Sequence, residues 1–260
     1  MIDAHAHLTD INPLKEGMNF DEMLKAIKSR GVKEILTISV NFENFLELKE
    51  LVKDREGIFL GCGVYPDDID PNNINIYNKL LEYSKEERVI AIGETGLDYL
   101  DEDLTKDQIE NQKNNFIQHI EVSKALKKPI IIHSRGAKED TLKLLKEYNI
   151  SEVGGMLHCF TEDIEMARKL IDMNIYISIS GIVTFKNAKD ISEMVKELPL
   201  DRILCETDAP YLAPTPYRGK QNIPYYVEET YKFVADLKNI SVEDLKDQVS
   251  KNFHKLFFSK

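Results

Sequence analysis

The sequence predicts one (β/α)8 barrel, and three observations lead there. The chain has 260 residues, close to the roughly 250 that such a barrel commonly takes. Eight short runs rich in β-branched residues recur along it, and a helical stretch separates most of them. The competing architecture, an open doubly wound sheet, usually carries a Gly-rich phosphate loop after an early strand. Here the first strand runs into His7-Leu8-Thr9-Asp10, which is nothing of the kind.

The predicted strands are residues 2–7, 34–40, 58–64, 88–94, 129–133, 154–158, 175–179 and 202–207. In the first, Ile2, Ala4 and Ala6 alternate with Asp3, His5 and His7, the two-residue period of a strand. Later runs such as Val89-Ile90-Ala91-Ile92 and Ile130-Ile131-Ile132 are continuously apolar, as in parallel strands covered on both faces. Helices are predicted over 21–30, stopped by Gly31, and over 43–53, 77–83 and 107–127. Others follow at 138–148, 163–172, 188–197, 224–237 and 242–257. Thr161, ahead of Glu162 and Asp163, is the expected N-cap of the helix over 163–172. No internal repeat, low-complexity segment or long linker divides the chain, so residues 1–260 are read as one domain. The Pro-rich stretch 209–224 is the one extended irregular region, and it follows a strand end.

Composition narrows the function classes. With 34 Lys+Arg against 45 Asp+Glu the formal net charge is -11, opposite to a protein that relies on non-specific nucleic-acid affinity. Any attraction for nucleic acid must be local. Three cysteines without a Cys-x-x-Cys exclude a disulfide framework and a thiolate zinc site and fit a reducing compartment. No secretory signal is readable, because charged and polar residues interrupt the first apolar positions. No apolar run approaches the ~18 residues of a membrane span. A cytoplasmic, monomeric protein is expected.

Polar residues then gather at the carboxyl ends of the predicted strands, where barrels build their active sites. His5 and His7 end the first strand, Glu94 the fourth, His133 the fifth and His158 the sixth, and Asp208 follows the eighth. A buried ring of imidazoles and carboxylates would be costly unless cations held it. Four imidazoles and two carboxylates exceed the needs of one four-coordinate ion and suit two ions sharing a bridging carboxylate. Glu94 is the expected bridge. His5, His7 and Asp208 are assigned to one ion, His133 and His158 to the other. Imidazole-rich ligation favours zinc, manganese or iron-like ions over magnesium.

Five segments also carry a resemblance. They are Ile2-Asp3-Ala4-His5-Ala6-His7-Leu8, Ala91-Ile92-Gly93-Glu94-Thr95-Gly96-Leu97-Asp98-Tyr99, Pro129-Ile130-Ile131-Ile132-His133-Ser134-Arg135, Gly155-Met156-Leu157-His158-Cys159-Phe160 and Glu206-Thr207-Asp208-Ala209-Pro210-Tyr211-Leu212. Together they resemble the TatD-type metal-dependent deoxyribonucleases of the amidohydrolase-like barrel superfamily, over almost the whole chain. The family's metal ligands fall on the same six residues. One departure stands out: the family's usual Gly-x-His-Pro and following His are replaced here by Gly63-Val64-Tyr65-Pro66-Asp67. The family's histidine there touches substrate, which makes Tyr65 a substrate-contact candidate with no positive charge to offer.

The expected activity is divalent-metal-dependent cleavage of phosphodiester bonds at DNA ends, with Glu94 and Asp208 as the catalytic carboxylates. Asp208 is the candidate general base. Arg135, Arg218 and Lys220 are candidates for phosphate contact. Tyr99 and Tyr211 are candidates for stacking on a base. Glu206 is expected to orient a ligand histidine from behind. Cys159 and Cys205 read as buried small residues, and His119 and His254 as structural. The alternative reading is a hydrolase of carbonyl esters such as an aminoacyl ester. A non-catalytic metal-binding protein would be marked by a broken ligand set, and all six ligands are present.

Overall fold

A computed structural model describes residues 1–259 of the chain. Eight parallel strands lie side by side in sequence order: β1 (Ile2–Ala6), β2 (Glu34–Ile38), β3 (Ile58–Cys62), β4 (Val89–Asp98), β5 (Ile130–Arg135), β6 (Gly155–Leu157), β7 (Ile175–Ile179) and β8 (Ile203–Cys205). Around them run helices α1 (Phe20–Ser29), α2 (Phe42–Val52), α3 (Tyr77–Tyr83), α4 (Lys106–Leu126), α5 (Lys138–Glu147), α6 (Ile164–Asp172), α7 (Lys189–Glu197), α8 (Val227–Leu237) and α9 (Val242–Phe258). This is the (β/α)8 barrel that the strand–helix alternation predicts. Burying both faces of the strands explains why Val89-Ile90-Ala91-Ile92 and Ile130-Ile131-Ile132 are apolar throughout and fully enclosed.

The seam between β8 and β1 closes largely through side chains. Backbone bonds are confined to its upper end, where the Asp208 N–H donates to His5 O (3.0 Å) and the His7 N–H to Ala209 O (2.7 Å). Below them the Asp3 carboxylate accepts from the Thr207 N–H (2.8 Å) and hydroxyl (2.6 Å). At the base the Tyr231 hydroxyl donates to Ile2 O and accepts from Ile2 N–H. These bonds give the seam polar partners without a continuous ladder. The seam also carries three ligand candidates, His5, His7 and Asp208, on chain segments bonded to one another.

Two strand bounds differ from expectation in ways that matter. β4 continues to Asp98, so Glu94 lies within the strand rather than at its end. The pairing with β5 shifts register between Ile92 and Thr95, and then runs on through Gly96↔His133 and Asp98↔Arg135. Glycine makes that course feasible: Gly93 and Gly96 have φ of 137° and 143°, and a Cβ at Gly96 would collide with the His133 carbonyl. β8 is shorter than expected, because after Cys205 the chain turns to meet β1. The cap of α6 is also different: Asp163 itself accepts from the Met166 N–H (2.8 Å), and Thr161 lies outside the helix. α4 begins, by contrast, with a full capping box between Thr105 and Gln108. Among the described residues no helix is long and apolar enough to cross a membrane, and all three cysteines are free thiols.

Candidate metal centre

The six predicted ligands converge at the carboxyl ends of the strands. Glu94 lies at the middle, 2% exposed, with its two oxygens facing different partners. Oε2 is 3.3 Å from His5 Nε2 and 3.5 Å from His7 Nε2. Oε1 is 2.7 Å from His158 Nε2 and 3.2 Å from His133 Nδ1. Asp208 completes the first group, its Oδ1 lying 3.6 Å from His5 Nε2 and 3.4 Å from His7 Nε2. Backbone geometry aims it there: Asp208 is in the left-handed region at φ 57°, which few non-glycine residues adopt and aspartate tolerates better than most.

These spacings are those of donors around a common centre. Ligands at about 2.0–2.1 Å from a tetrahedral ion stand about 3.3 Å apart. The known separations within the His5, His7, Glu94 Oε2 and Asp208 group run from 3.2 to 3.6 Å. The second group spans 2.7 to 3.2 Å, with His133 Nδ1 3.1 Å from His158 Nε2. Imidazole nitrogens that face each other at 3.2 Å, as in His5 and His7, turn like partial charges together unless a proton or a cation lies between them. Two close donor sets could each hold a divalent cation: His5, His7 and Asp208, with Glu94 Oε2 near its two histidines as a fourth donor, and Glu94, His133 and His158; His5, His158 and Glu206 form a further close grouping.

Electrostatics supports anionic carboxylates in this setting. Burial alone would raise Glu94, but the charges of His158 and His5 and hydrogen bonds from His133 and His158 hold it well below the usual carboxylate range. Asp208 is likewise lowered against the effect of burial, first by its bond with His7. Burial works against the charged form of His158, yet Glu94 and Glu206 push its pKa well upward. His5 is lowered by burial and by the charge of His158. A cation would take over the compensating charge that protonated imidazoles supply here.

Behind the ligands stand further polar groups. Glu206 is fully buried and accepts from the Cys159 N–H (2.7 Å) and the Ser178 hydroxyl (2.5 Å). It fixes the sharp turn after His158, where Cys159 has φ 44°, and its Oε1 lies 3.5 Å from His158 Nδ1. The expected orienting role thus acts chiefly through the backbone. Cys205 is buried as expected, whereas Cys159 is only half-buried; desolvation raises the pKa of both thiols. Asn222 holds the Asp208 turn from the far side, donating to Thr207 O (2.8 Å) and Tyr211 O (2.6 Å).

Asp98 is the residue that sequence reasoning passed over. Its Oδ2 lies 2.9 Å from His133 Nε2 and accepts from the Tyr65 hydroxyl at 3.3 Å. The signal was the alternation Glu94, Gly96, Asp98, legible only once β4 is extended past Glu94. Tyr65 is half-buried with its hydroxyl against Asp98 and His133 rather than standing free. The rim residues are more dispersed. Arg135, Arg218 and Lys220 are exposed and, among the described residues, none bonds to the six ligands. Arg218 lies 3.6 Å above the Phe185 ring, and Lys220 is 6.0 Å from that of Tyr217. Tyr211 is exposed beside His7, with ring centroids 5.9 Å apart, whereas Tyr99 bonds to Asp140 (3.1 Å) on α5. His119 is wholly buried in α4 and His254 pairs with Glu34 at the far end.

The chain is thus a parallel eight-stranded barrel with a histidine–carboxylate cluster, able to hold metal, toward the carboxyl ends of its strands. The chain belongs to the TatD related DNase family, whose model matches residues 2–258. It is 46% identical over 257 residues to an uncharacterized metal-dependent hydrolase of Buchnera aphidicola subsp. Baizongia pistaciae, covering 99% of this chain and 96% of that one. It is 41% identical over 258 residues to the uncharacterized metal-dependent hydrolase YcfH of Escherichia coli K12, covering 99% and 95% respectively. Among solved structures, the TatD homologue YJJV from Escherichia coli K12 superposes with a TM-score of 0.89 at 23% identity, over 100% of this chain and 98% of that one. That last likeness concerns the fold.

Proposed function

We propose that this protein is a deoxyribonuclease that removes nucleotides from DNA ends, with two divalent cations held by His5, His7, Glu94, His133, His158 and Asp208. The observation that carries the reading is the division of Glu94, each oxygen of which faces its own set of donors. Zinc or manganese suits so imidazole-rich a site better than magnesium. Bound there, the pair would acidify a water and polarise a phosphodiester, as two-metal sites do. The family's description as related to DNase supports phosphodiester rather than carbonyl substrates.

The chain's own residues have the following roles in this reading. Asp208 engages the first donor group through Oδ1, which leaves its second oxygen to accept the proton of the attacking water. Glu94 keeps the two donor groups at a fixed separation. Arg135, Arg218 and Lys220 contact the flanking phosphates from the rim, supplying local positive charge in a protein of net charge -11. Tyr211, exposed next to His7, offers a face for a terminal base, and Tyr65 lines the wall beside His133.

The test is incubation with single-stranded DNA labelled at one end, in manganese, in zinc and in chelator. Stepwise shortening that requires the metal and is lost in Asp208→Asn supports the proposal. Intact DNA alongside metal-dependent hydrolysis of a carboxylic ester would transfer the same residues to an esterase.

A further inference from the structure

The two halves of the site are not equally built. His5, His7 and His158 face the cluster through Nε2, but His133 does so through Nδ1. His133 lies two residues before the end of β5 and is more exposed than the other three histidines. Which of its nitrogens carries the proton, and which way the ring turns, depend on what the other nitrogen meets. That partner is Asp98, 2.9 Å from Nε2. With Nε2–H donating to Asp98, the Nδ1 lone pair is free to meet a cation held between Nδ1 and Glu94 Oε1, in place of the proton that otherwise bridges them. Tyr65 packs edge-on against the same ring, centroids 4.9 Å apart, and donates its hydroxyl to the same Asp98 oxygen.

We propose that Asp98, backed by Tyr65, is a positioning residue that locks His133 with Nδ1 toward Glu94 and sets the metal affinity of the three-donor half independently of the four-donor half. The inference rests on the two-ion reading above.

The surroundings of the pair are constructed for this. Gln112 on α4 clamps the Asp98 backbone, accepting from its N–H (2.9 Å) and donating to its carbonyl (3.0 Å). One turn on, Asn115 donates to Val64 O (2.8 Å), and a further turn on, His119 Nε2 accepts from the Val64 N–H (3.0 Å). Gln112, Asn115 and His119 are buried and lie along one face of the helix. Polar side chains in such a place would be costly unless fully bonded. Theirs are spent on the two backbone segments that deliver Asp98 and Tyr65. Asp98 Oδ1 is tied separately to the Leu100 N–H (3.1 Å), which reserves Oδ2 for His133 and Tyr65.

Cobalt(II) titration of chelator-treated protein, followed by visible absorption and calorimetry, tests this without reference to activity. Wild type should bind in two steps. Asp98→Asn should leave the first step unchanged, weaken the second by about 10–100-fold and alter the absorption of the second equivalent alone. Tyr65→Phe should move the second step in the same direction by a smaller factor, and Asp98→Glu should restore part of the loss. Thermal melts of the metal-free proteins should coincide. A two-step wild type with an unaltered second step in Asp98→Asn overturns the assignment of Asp98 and leaves the two-ion reading standing. Equal weakening of both steps with a lowered metal-free melt overturns it in favour of a general structural role. A wild type that takes up a single cobalt overturns the two-ion reading, and this inference with it.

Discussion

Acidification should weaken the fold through one buried histidine, His119. It is completely enclosed, its Nδ1 lies 2.7 Å from Asn115 O, and its Nε2 accepts from the Val64 N–H. Accepting at Nε2 requires the neutral ring, and burial lowers its pKa to about 4 from the ordinary 6.5 of a free histidine. The unfolded chain therefore takes up this proton at higher pH than the folded one. The stabilisation is complete above pH 6.5, declines as pH falls across the interval and is gone below 4. Between about pH 7.5 and about pH 5 the loss is on the order of 2 kcal/mol, and the full interval is worth about 3 kcal/mol. Urea unfolding of wild type and His119→Gln, in chelator at both pH values, isolates the effect. Wild type should be clearly the more stable near neutrality, and its advantage should shrink by about 2 kcal/mol at the lower pH. An advantage that stays constant with pH would refute the assignment of a neutral, hydrogen-bonded ring.

Two further outcomes are expected. The Arg88 guanidinium donates to the carbonyls of Val52, Lys53, Arg55 and Ile58, tying the end of α2 to β3. Arg88→Met should therefore lower stability in urea by about 2 kcal/mol or more, with metal content of the folded protein unchanged. Arg218→Ala combined with Lys220→Ala should raise KM for DNA with little change in metal content, and its salt dependence should be shallower than that of wild type. Unchanged kinetics in the double variant would remove that loop from the substrate path.

The barrel was legible in the sequence because its signals are local and repeated. Apolar runs such as Ile130-Ile131-Ile132 report burial on both faces, and the placement of His5, His7, His133, His158 and Asp208 at strand ends needs only the strand–helix alternation. What stayed hidden depends on long-range backbone geometry. The extension of β4 to Asp98 rests on Gly93 and Gly96 passing close to β5, and a run ending in Gly-Glu-Thr-Gly looks like a turn when β5 is unknown. The seam was hidden for the same reason, since Asp3 bonds to Thr207 across 204 positions of chain. The α6 cap was misplaced because Thr161 and Asp163 both carry capping side chains two residues apart; Asp163, the stronger type, takes the position. Periodicity gives the α4 helix, but the purpose of its buried Gln112, Asn115 and His119 appears only when their backbone partners arrive from β3 and β4.

The central claim is that Glu94 joins two cation sites, and metal stoichiometry tests it most directly. Equilibrium dialysis of chelator-treated protein against zinc or manganese, followed by elemental analysis, should approach two ions per chain for wild type. Glu94→Ala withdraws one donor from each set at once, so both ions should be weakened and the content should fall well below two at the same free metal concentration. A wild type that saturates at one ion under excess metal, or a Glu94→Ala variant that retains two with unchanged affinity, would contradict the account.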